Sequence, residues 1–114
     1  MHELSIIANL YEIMEEKARE QGAKKITLVK LQVGVLSGIV PDFLETAFDI
    51  FKKDTMASEA KLEIEKVPLK IQCKECGTEK TSFELIYICP KCSSNHIITL
   101  DGTELILEKM DISL

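Results

Sequence analysis

The chain has four cysteines, and they form two Cys-x-x-Cys pairs: Cys73 with Cys76, and Cys89 with Cys92. Two intervening residues allow a single tight turn to direct both sulfur atoms of a pair at one ion. Zinc binds four thiolates in a tetrahedron, at about 2.3 Å from each sulfur. The two pairs therefore predict a zinc site of four cysteines that is closed to further ligands and structural in role.

Three other uses of these cysteines are left open by the spacing alone. Two disulfides would need an oxidising compartment, whereas the sequence shows no recognisable signal peptide. A redox dithiol usually opens a helix, but the second pair here follows strand-like sequence, Leu85-Ile86-Tyr87-Ile88. A rubredoxin-like iron protein shares the spacing loosely, and metal analysis would separate it from a zinc protein. Reduced cysteines without a targeting segment predict a cytoplasmic protein.

A histidine could also enter the zinc site, because imidazole is a common zinc ligand. His96 follows Cys92 by four residues. Since four cysteines already complete the tetrahedron, we expect His96 to be a polar residue of the zinc-binding segment and not a ligand.

A second metal-binding arrangement lies at the start of the chain, Met1-His2-Glu3. The α-amine and the His2 amide can close a five-membered chelate ring, and that amide closes a six-membered ring with the imidazole Nδ1. The Glu3 amide can supply a fourth nitrogen. A planar set of four nitrogens suits Ni(II) or Cu(II) but not tetrahedral zinc. Taken alone, a histidine at position two is more often an exposed residue of a frayed terminus.

Composition and charge exclude several classes of protein. Hydrophobic residues make up 46% of the 114 residues and the formal net charge is −5, which disfavours a nucleic-acid binder because such proteins usually have a basic face. No apolar run approaches the roughly 18 residues of a membrane span. The sequence has no nucleophile-histidine-acid set and no phosphate-binding glycine loop. We therefore predict that the protein is not an enzyme.

Helical periodicity predicts a first helix over about residues 3–21, ended by Gly22. Such a helix would leave the first amides of the chain without intrahelical acceptors and available to a metal. Its apolar face is expected to consist of Leu4, Ile7, Ala8, Tyr11, Met14 and Ala18.

Strand periodicity predicts a strand over residues 25–35. One face of it is directed to the core: Thr27, Val29, Leu31, Val33 and Val35. Pro41 suits the first position of a second helix. The apolar stripe of that helix is Leu44, Ala47, Phe48 and Phe51. Further strands are predicted over residues 59–67 and 104–112.

The order of these elements predicts an α+β fold, in which a small mixed sheet packs with two helices and a zinc-ribbon-like lobe is inserted. The last strand is amphipathic and needs a sheet to join, and the natural partner is the sheet of the first half. We therefore expect an α+β domain of residues 1–67 and 102–114. Residues 68–101 are expected to form a separate zinc-binding domain.

Three motifs occur in a fixed order along the chain. Met1-His2-Glu3-Leu4-Ser5 precedes the amphipathic helix, residues 33–41 read Val-Gly-x-Leu-Ser-Gly-x-Val-Pro, and the two cysteine pairs follow. This ordered set resembles the HypA/HybF family, which comprises nickel metallochaperones of [NiFe]-hydrogenase maturation. The resemblance covers essentially the whole chain. The N-terminal motif together with the cysteine pairs is far more specific than the pairs alone.

The resemblance implies a nickel-binding α+β domain with an inserted zinc domain. It implies that nickel is bound by Met1 (through its amine), His2 and Glu3, and zinc by Cys73, Cys76, Cys89 and Cys92. It also implies work with a HypB-type GTPase and delivery of Ni(II) to the hydrogenase large subunit. Some members of the family also serve urease maturation.

The alternative function is a zinc-ribbon adaptor or protein-interaction module in which His2 is incidental. That alternative predicts no nickel affinity and a functional basic or aromatic face, and the sequence has no Trp and no basic stripe. The sequence does not fix the oligomeric state. A monomer and a weak homodimer are both compatible with it, since the last strand could be exchanged between two chains.

Overall fold

The computed structural model describes residues 3–114, which form two helices and six strands in a mixed α+β arrangement. The elements are α1 (Glu3–Glu20), β1 (Lys25–Gly34), α2 (Pro41–Phe51), β2 (Lys61–Val67), β3 (Leu69–Cys73), β4 (Glu79–Ser82), β5 (Ile97–Asp101) and β6 (Leu105–Ser113). The predicted α+β class is confirmed. The predicted end of the first helix is also confirmed, because Gly22 has a φ of 72° and the Ala23 N–H donates to the Ala18 carbonyl at 3.0 Å, as in a Schellman motif.

The buried face of α1 is shifted from the predicted one. Its buried residues are Glu3, Ile7, Tyr11, Met14 and Ala18. Four of these were predicted, but Leu4 was wrongly placed and is 51% exposed. Each residue advances a helix by about 100°, so burying Glu3 turns Leu4 away from the core. The start of the helix is thus anchored by an acidic side chain instead of an apolar one.

The first sheet has the strand order β2-β1-β6. β1 is parallel to β2 and antiparallel to β6, so the last strand returns to the sheet of the first half as predicted. The predicted core face of β1 is confirmed at Val29, Leu31 and Val33, but it is wrong at the start of the strand. Ile26 is fully buried and Thr27 is exposed. The β1–β6 register shifts between residues 26 and 28, and an irregularity of this kind inverts the alternation of faces.

α2 connects the two parallel strands and packs against α1. Pro41 occupies the first turn, and the preceding residue, Val40, is extended, as the restriction before proline requires. Leu44, Ala47 and Phe48 are buried, which confirms the predicted stripe. The ring of Phe51 lies 5.4 Å from that of Tyr11 on α1. Residues of both helices therefore pack together to form the core beside the first sheet.

The second sheet is formed by the residues between β2 and β6. Its strand order is β4-β3-β5, with both pairings antiparallel. We refer to residues 68–101 as the cysteine lobe and to residues 3–67 with 102–114 as the helical lobe. The strand-like segment Leu85–Ile88 forms no strand, contrary to the sequence interpretation. These residues pair with none of the strands of the β4-β3-β5 sheet, and Leu85, Tyr87 and Ile88 are exposed.

The chain passes from the helical lobe into the cysteine lobe at residues 67–69 and returns at residues 101–104. We call these two connections the lobe crossings, and the end of β1 is hydrogen-bonded to both. The Val35 N–H donates to the Val67 carbonyl at 3.0 Å, and the Leu36 N–H donates to the Gly102 carbonyl at 2.7 Å. Val67 and Gly102 flank the cysteine lobe in the chain, and since these bonds involve backbone groups alone, they hold both flanking residues beside the end of β1 independently of side-chain identity.

Candidate metal sites

The first Cys-x-x-Cys pair forms a compact turn at the end of β3. The Gly77 N–H donates to the Cys73 carbonyl at 2.9 Å, and the Cys73 N–H donates to the Thr78 carbonyl at 2.8 Å. Gly77 has a φ of 77°, a conformation that glycine adopts without steric cost. Gly77 therefore lets the chain close the turn directly after the second cysteine of the pair.

The second pair repeats the same hydrogen-bond pattern. The Ser93 N–H donates to the Cys89 carbonyl at 2.9 Å, and the Cys89 N–H donates to the Ser94 carbonyl at 2.7 Å. Ser93 stands where the first turn has glycine, and its φ is 63°. Sequence reasoning missed this residue. The equivalent offset from the second cysteine of each pair could have identified it, because both turns have the same length.

The two turns bring all four sulfur atoms together. The Sγ atoms of Cys73 and Cys92 are 3.5 Å apart, and those of Cys76 and Cys89 are 3.7 Å apart. All four lie within 4.8 Å of one another. Zinc–sulfur bonds of about 2.3 Å in a tetrahedron imply sulfur–sulfur edges of about 3.8 Å. The cluster fits that size, and its separations are far longer than a disulfide bond of about 2.05 Å.

Each turn contributes one buried and one exposed cysteine. Cys73 and Cys89 are 1% exposed, while Cys76 and Cys92 are exposed. Cys76 Sγ lies 3.1 Å from the Thr78 hydroxyl oxygen. Hydrogen bonds from the Thr78 side chain and then from its backbone lower the pKa of Cys76 to about 6. Metal ligation requires the thiolate, so Thr78 favours the ligating form of Cys76.

His96 lies beside the first turn and has a partner other than the sulfur cluster. Its backbone carbonyl accepts a hydrogen bond from the Lys74 N–H at 2.8 Å. Its ring Nδ1 lies 2.6 Å from a carboxylate oxygen of Glu75, and both side chains are exposed. The arrangement agrees with the expectation that His96 is a polar surface residue of the zinc-binding segment.

Of the predicted nickel ligands, Met1 and His2 lie outside the described residues, and Glu3 is the first residue of α1. The Glu3 side chain is only 8% exposed. Among residues 3–114, its Oε2 atom is buried without a hydrogen-bond partner. Since an isolated buried carboxylate oxygen is costly, it is a strong acceptor for a donor or cation that approaches the start of the helix.

Comparison with known proteins places the whole chain in one family. The sequence profile described as HypA, hydrogenase/urease nickel incorporation, metallochaperone, matches residues 1–112. The hydrogenase maturation factor HypA of Aquifex aeolicus is 40% identical over 114 residues, which are 100% of this chain and 99% of that protein. The HypA of Shewanella baltica is 41% identical over 112 residues, which are 98% and 96% of the two chains.

Solved structures agree in the fold. The solution structure of the Ni metallochaperone HypA from Helicobacter pylori superposes with a TM-score of 0.70 at 28% identity, over 99% of this chain and 98% of that one. A second solution structure of a HypA protein gives a TM-score of 0.70 at 29% identity. The family incorporates nickel and does not catalyse a reaction, in agreement with the prediction that the chain is not an enzyme. This chain is a member of the HypA family of nickel metallochaperones of hydrogenase and urease maturation.

Proposed function

We propose that this protein binds Ni(II) at its N-terminus and delivers it for [NiFe]-hydrogenase maturation, while a zinc ion held by four cysteines organises the cysteine lobe. The proposal assigns nickel to Met1, His2 and Glu3, and zinc to Cys73, Cys76, Cys89 and Cys92. It also divides the chain into a nickel-binding domain of residues 1–67 and 102–114 and a zinc-binding domain of residues 68–101.

The observation that carries the nickel assignment is the start of α1 at Glu3. The N–H groups of the first helical turn have no intrahelical acceptor, so the Glu3 amide can lose its proton to a metal without breaking a helical hydrogen bond. The side chain of this residue is buried, which disfavours a role for it in an exposed partner surface. Its Oε2 atom has no hydrogen-bond partner among residues 3–114 and would add negative charge at the start of the helix.

Release of the cargo follows from the chemistry of the ligands. The α-amine and the His2 imidazole must both be deprotonated to bind nickel, so their protonation weakens the site. A planar chelate at the start of a chain is also accessible to an incoming ligand from a partner. A HypB-type GTPase is the partner proposed to trigger the transfer, and the hydrogenase large subunit is the proposed recipient. Urease maturation proteins are a second group of proposed partners.

The zinc assignment is supported by the fit of the sulfur cluster to a tetrahedron. A bound zinc ion would cross-link the two turns. With four thiolate ligands its coordination sphere would be complete, which leaves no position for a water ligand. The cysteine lobe has only two fully buried large side chains besides its cysteines, Leu69 and Ile71. Because so small a core stabilises little by itself, we expect the folding of this lobe to depend on the metal.

The protein is proposed to be cytoplasmic and to act as a monomer or weak homodimer without nucleic acid or membrane. Neither helix among residues 3–114 combines the length and hydropathy needed to cross a bilayer.

The proposal is tested by titrating Ni(II) into untagged, zinc-loaded protein, with calorimetry for stoichiometry and d–d absorption for geometry. We expect about one planar nickel per chain, in keeping with the four-nitrogen chelate. His2→Ala should lose this nickel and keep its zinc. His96→Ala is the matched control, because it removes the chain's other histidine.

Either of two results would contradict the nickel assignment. If His2→Ala binds nickel like the unmodified protein, the site lies elsewhere. If neither protein binds nickel, the zinc-ribbon adaptor alternative gains support despite the family membership. Retention of zinc in both variants would keep the zinc assignment separate from this outcome.

A further inference from the structure

A pocket of about 200 Å³ lies between the two lobes. Its lining residues are Val33, Gly34, Val35, Ile39, Pro41, Lys66 and Phe83. The first six belong to the helical lobe, and Phe83 belongs to the cysteine lobe just after β4. Small-molecule sites usually measure roughly 300–1,000 Å³. This pocket is smaller, and its size suits a single large side chain from another protein.

Exposed apolar residues flank the pocket-lining residues in the chain. We define the apolar rim as Leu36, Val40, Phe43 and Phe83, which are 39%, 41%, 59% and 63% exposed. Both aromatic members are more than half exposed, although each could bury a large area on association. An exposed apolar group of this kind around a pocket is characteristic of a protein interaction site.

The loop that builds one wall of the pocket is fixed before any partner arrives. The Val35 and Leu36 amides are bonded to the two lobe crossings, and the Ser37 N–H donates to the Gly34 carbonyl at 3.0 Å. The Ile39 N–H donates to the Ser37 hydroxyl at 3.2 Å. Because the backbone is already ordered, binding here would cost little conformational entropy.

The charge around the pocket selects the chemistry of the partner. Of the described residues, Lys66 is the only charged one that lines it. None of the ion pairs formed by residues 3–114 involves Lys66. An ammonium group at the edge of an apolar pocket favours an anion next to an apolar group. The net charge of −5 disfavours an anionic lipid surface as the occupant.

We propose that this inter-lobe pocket is a docking site for a protein segment in which a large aliphatic side chain stands next to a carboxylate. The aliphatic group enters the pocket against Val35, Ile39 and Phe83, and the carboxylate pairs with Lys66. Since the walls come from both lobes, an occupied pocket also holds the lobes together. The proposal is independent of nickel binding and of the ligands assigned above.

The experiment uses the full zinc-loaded chain and blocked tetrapeptides, monitored by amide and methyl NMR. The probe peptide is acetyl-Gly-Leu-Asp-Gly-amide. We expect saturable shifts at Val35 and Ile39. The Leu-Asn peptide, which lacks the charge, should bind about two- to fivefold more weakly, because an exposed ion pair contributes about 0.2–1 kcal/mol. The Gly-Asp peptide, which lacks the aliphatic group, should not bind detectably.

Substitutions in the protein test the contacts that the peptide series tests through the ligand. Lys66→Gln should weaken binding of the Leu-Asp peptide by the same two- to fivefold, about the value of one exposed ion pair. Lys61→Gln, on the same strand but outside the pocket, should leave binding unchanged. Phe83→Ala should weaken binding about tenfold, as expected for an aromatic anchor. Phe83→Leu retains an apolar wall and should restore most of that loss.

Four results would overturn the proposal. The first is equal binding of the Leu-Asp and Leu-Asn peptides, and the second is shifts confined to other residues. The third is a concentration-dependent dimer that Phe83→Ala abolishes, which would identify a second copy of the chain as the occupant. The fourth is binding to phosphatidylglycerol vesicles that needs Phe83, which would identify a lipid surface.

Discussion

Gly34→Ala is predicted to be the most damaging single-methyl change at the junction of the lobes. A Cβ atom at position 34 would lie 2.3 Å from the carbonyl oxygen and 2.4 Å from the carbonyl carbon of Gly102, and 2.9 Å from the amide nitrogen of Thr103. All three are backbone atoms. They cannot rotate away as a flexible side chain can, so relief requires movement of the crossing itself by about 1 Å.

The magnitude follows from what that movement disrupts. The Gly34 N–H donates to the Glu104 carbonyl at 2.8 Å, and the Leu36 N–H donates to the Gly102 carbonyl at 2.7 Å. Each such bond contributes about 1 kcal/mol net, and overpacking a fixed site costs about 1–3 kcal/mol. We therefore expect the free energy of unfolding to fall by about 3–5 kcal/mol, a large share of the roughly 5–15 kcal/mol typical of a domain.

The assay is urea unfolding of the zinc-loaded protein followed by far-UV circular dichroism, with zinc content measured in parallel. For slopes of roughly 1–3 kcal/mol per molar urea, the midpoint should fall by at least about 1 M. Gly22→Ala is the matched control, because a Cβ there meets nothing within 4 Å and the only penalty is the φ of +72°. That penalty is about 1–2 kcal/mol. The reasoning is refuted if Gly34→Ala loses no more stability than Gly22→Ala.

Three further predictions concern single contacts. Ser93→Gly should stabilise the zinc-loaded cysteine lobe by about 1 kcal/mol, because glycine relieves the positive φ, and slower zinc loss to a chelator would show it. Thr78→Val should raise the pKa of Cys76 from about 6 toward its usual value. Because a depressed pKa favours the thiolate only above that pKa, zinc release on acidification should begin at a higher pH in this variant, and an unchanged release curve would contradict the contact. Tyr11→Phe removes the acceptor of the Met56 N–H at 3.1 Å and should lower the free energy of unfolding by about 1 kcal/mol, as measured by urea denaturation.

The local sequence was sufficient to predict the cysteine cluster. The spacing of each pair fits a tight turn, and both turns are present with their sulfur atoms in one cluster. Helix boundaries were also predictable, because Gly22 and Pro41 act on the backbone within one turn of the residue itself. In each case the cause and its effect are separated by a few residues along the chain.

The errors occurred where distant segments meet. Burial of Ile26 in place of Thr27 depends on a register irregularity against β6, nearly ninety positions later in the chain. Residues 85–88 have the composition of a strand, yet they pair with no strand of the β4-β3-β5 sheet. Pattern reasoning describes what a segment could do, whereas its partners decide which of those options is realised.

The sequence by itself provided the groups that we propose as metal ligands: four thiolates at one spacing and the tripeptide Met1-His2-Glu3. The tertiary structure alone decided that Glu3 is buried, that the two turns converge, and that Gly34 packs against Gly102, just after the cysteine lobe ends. The physical reason is that ligand chemistry belongs to individual side chains. Burial and convergence, in contrast, depend on contacts between residues far apart in the chain, and these exist only when the whole fold is formed.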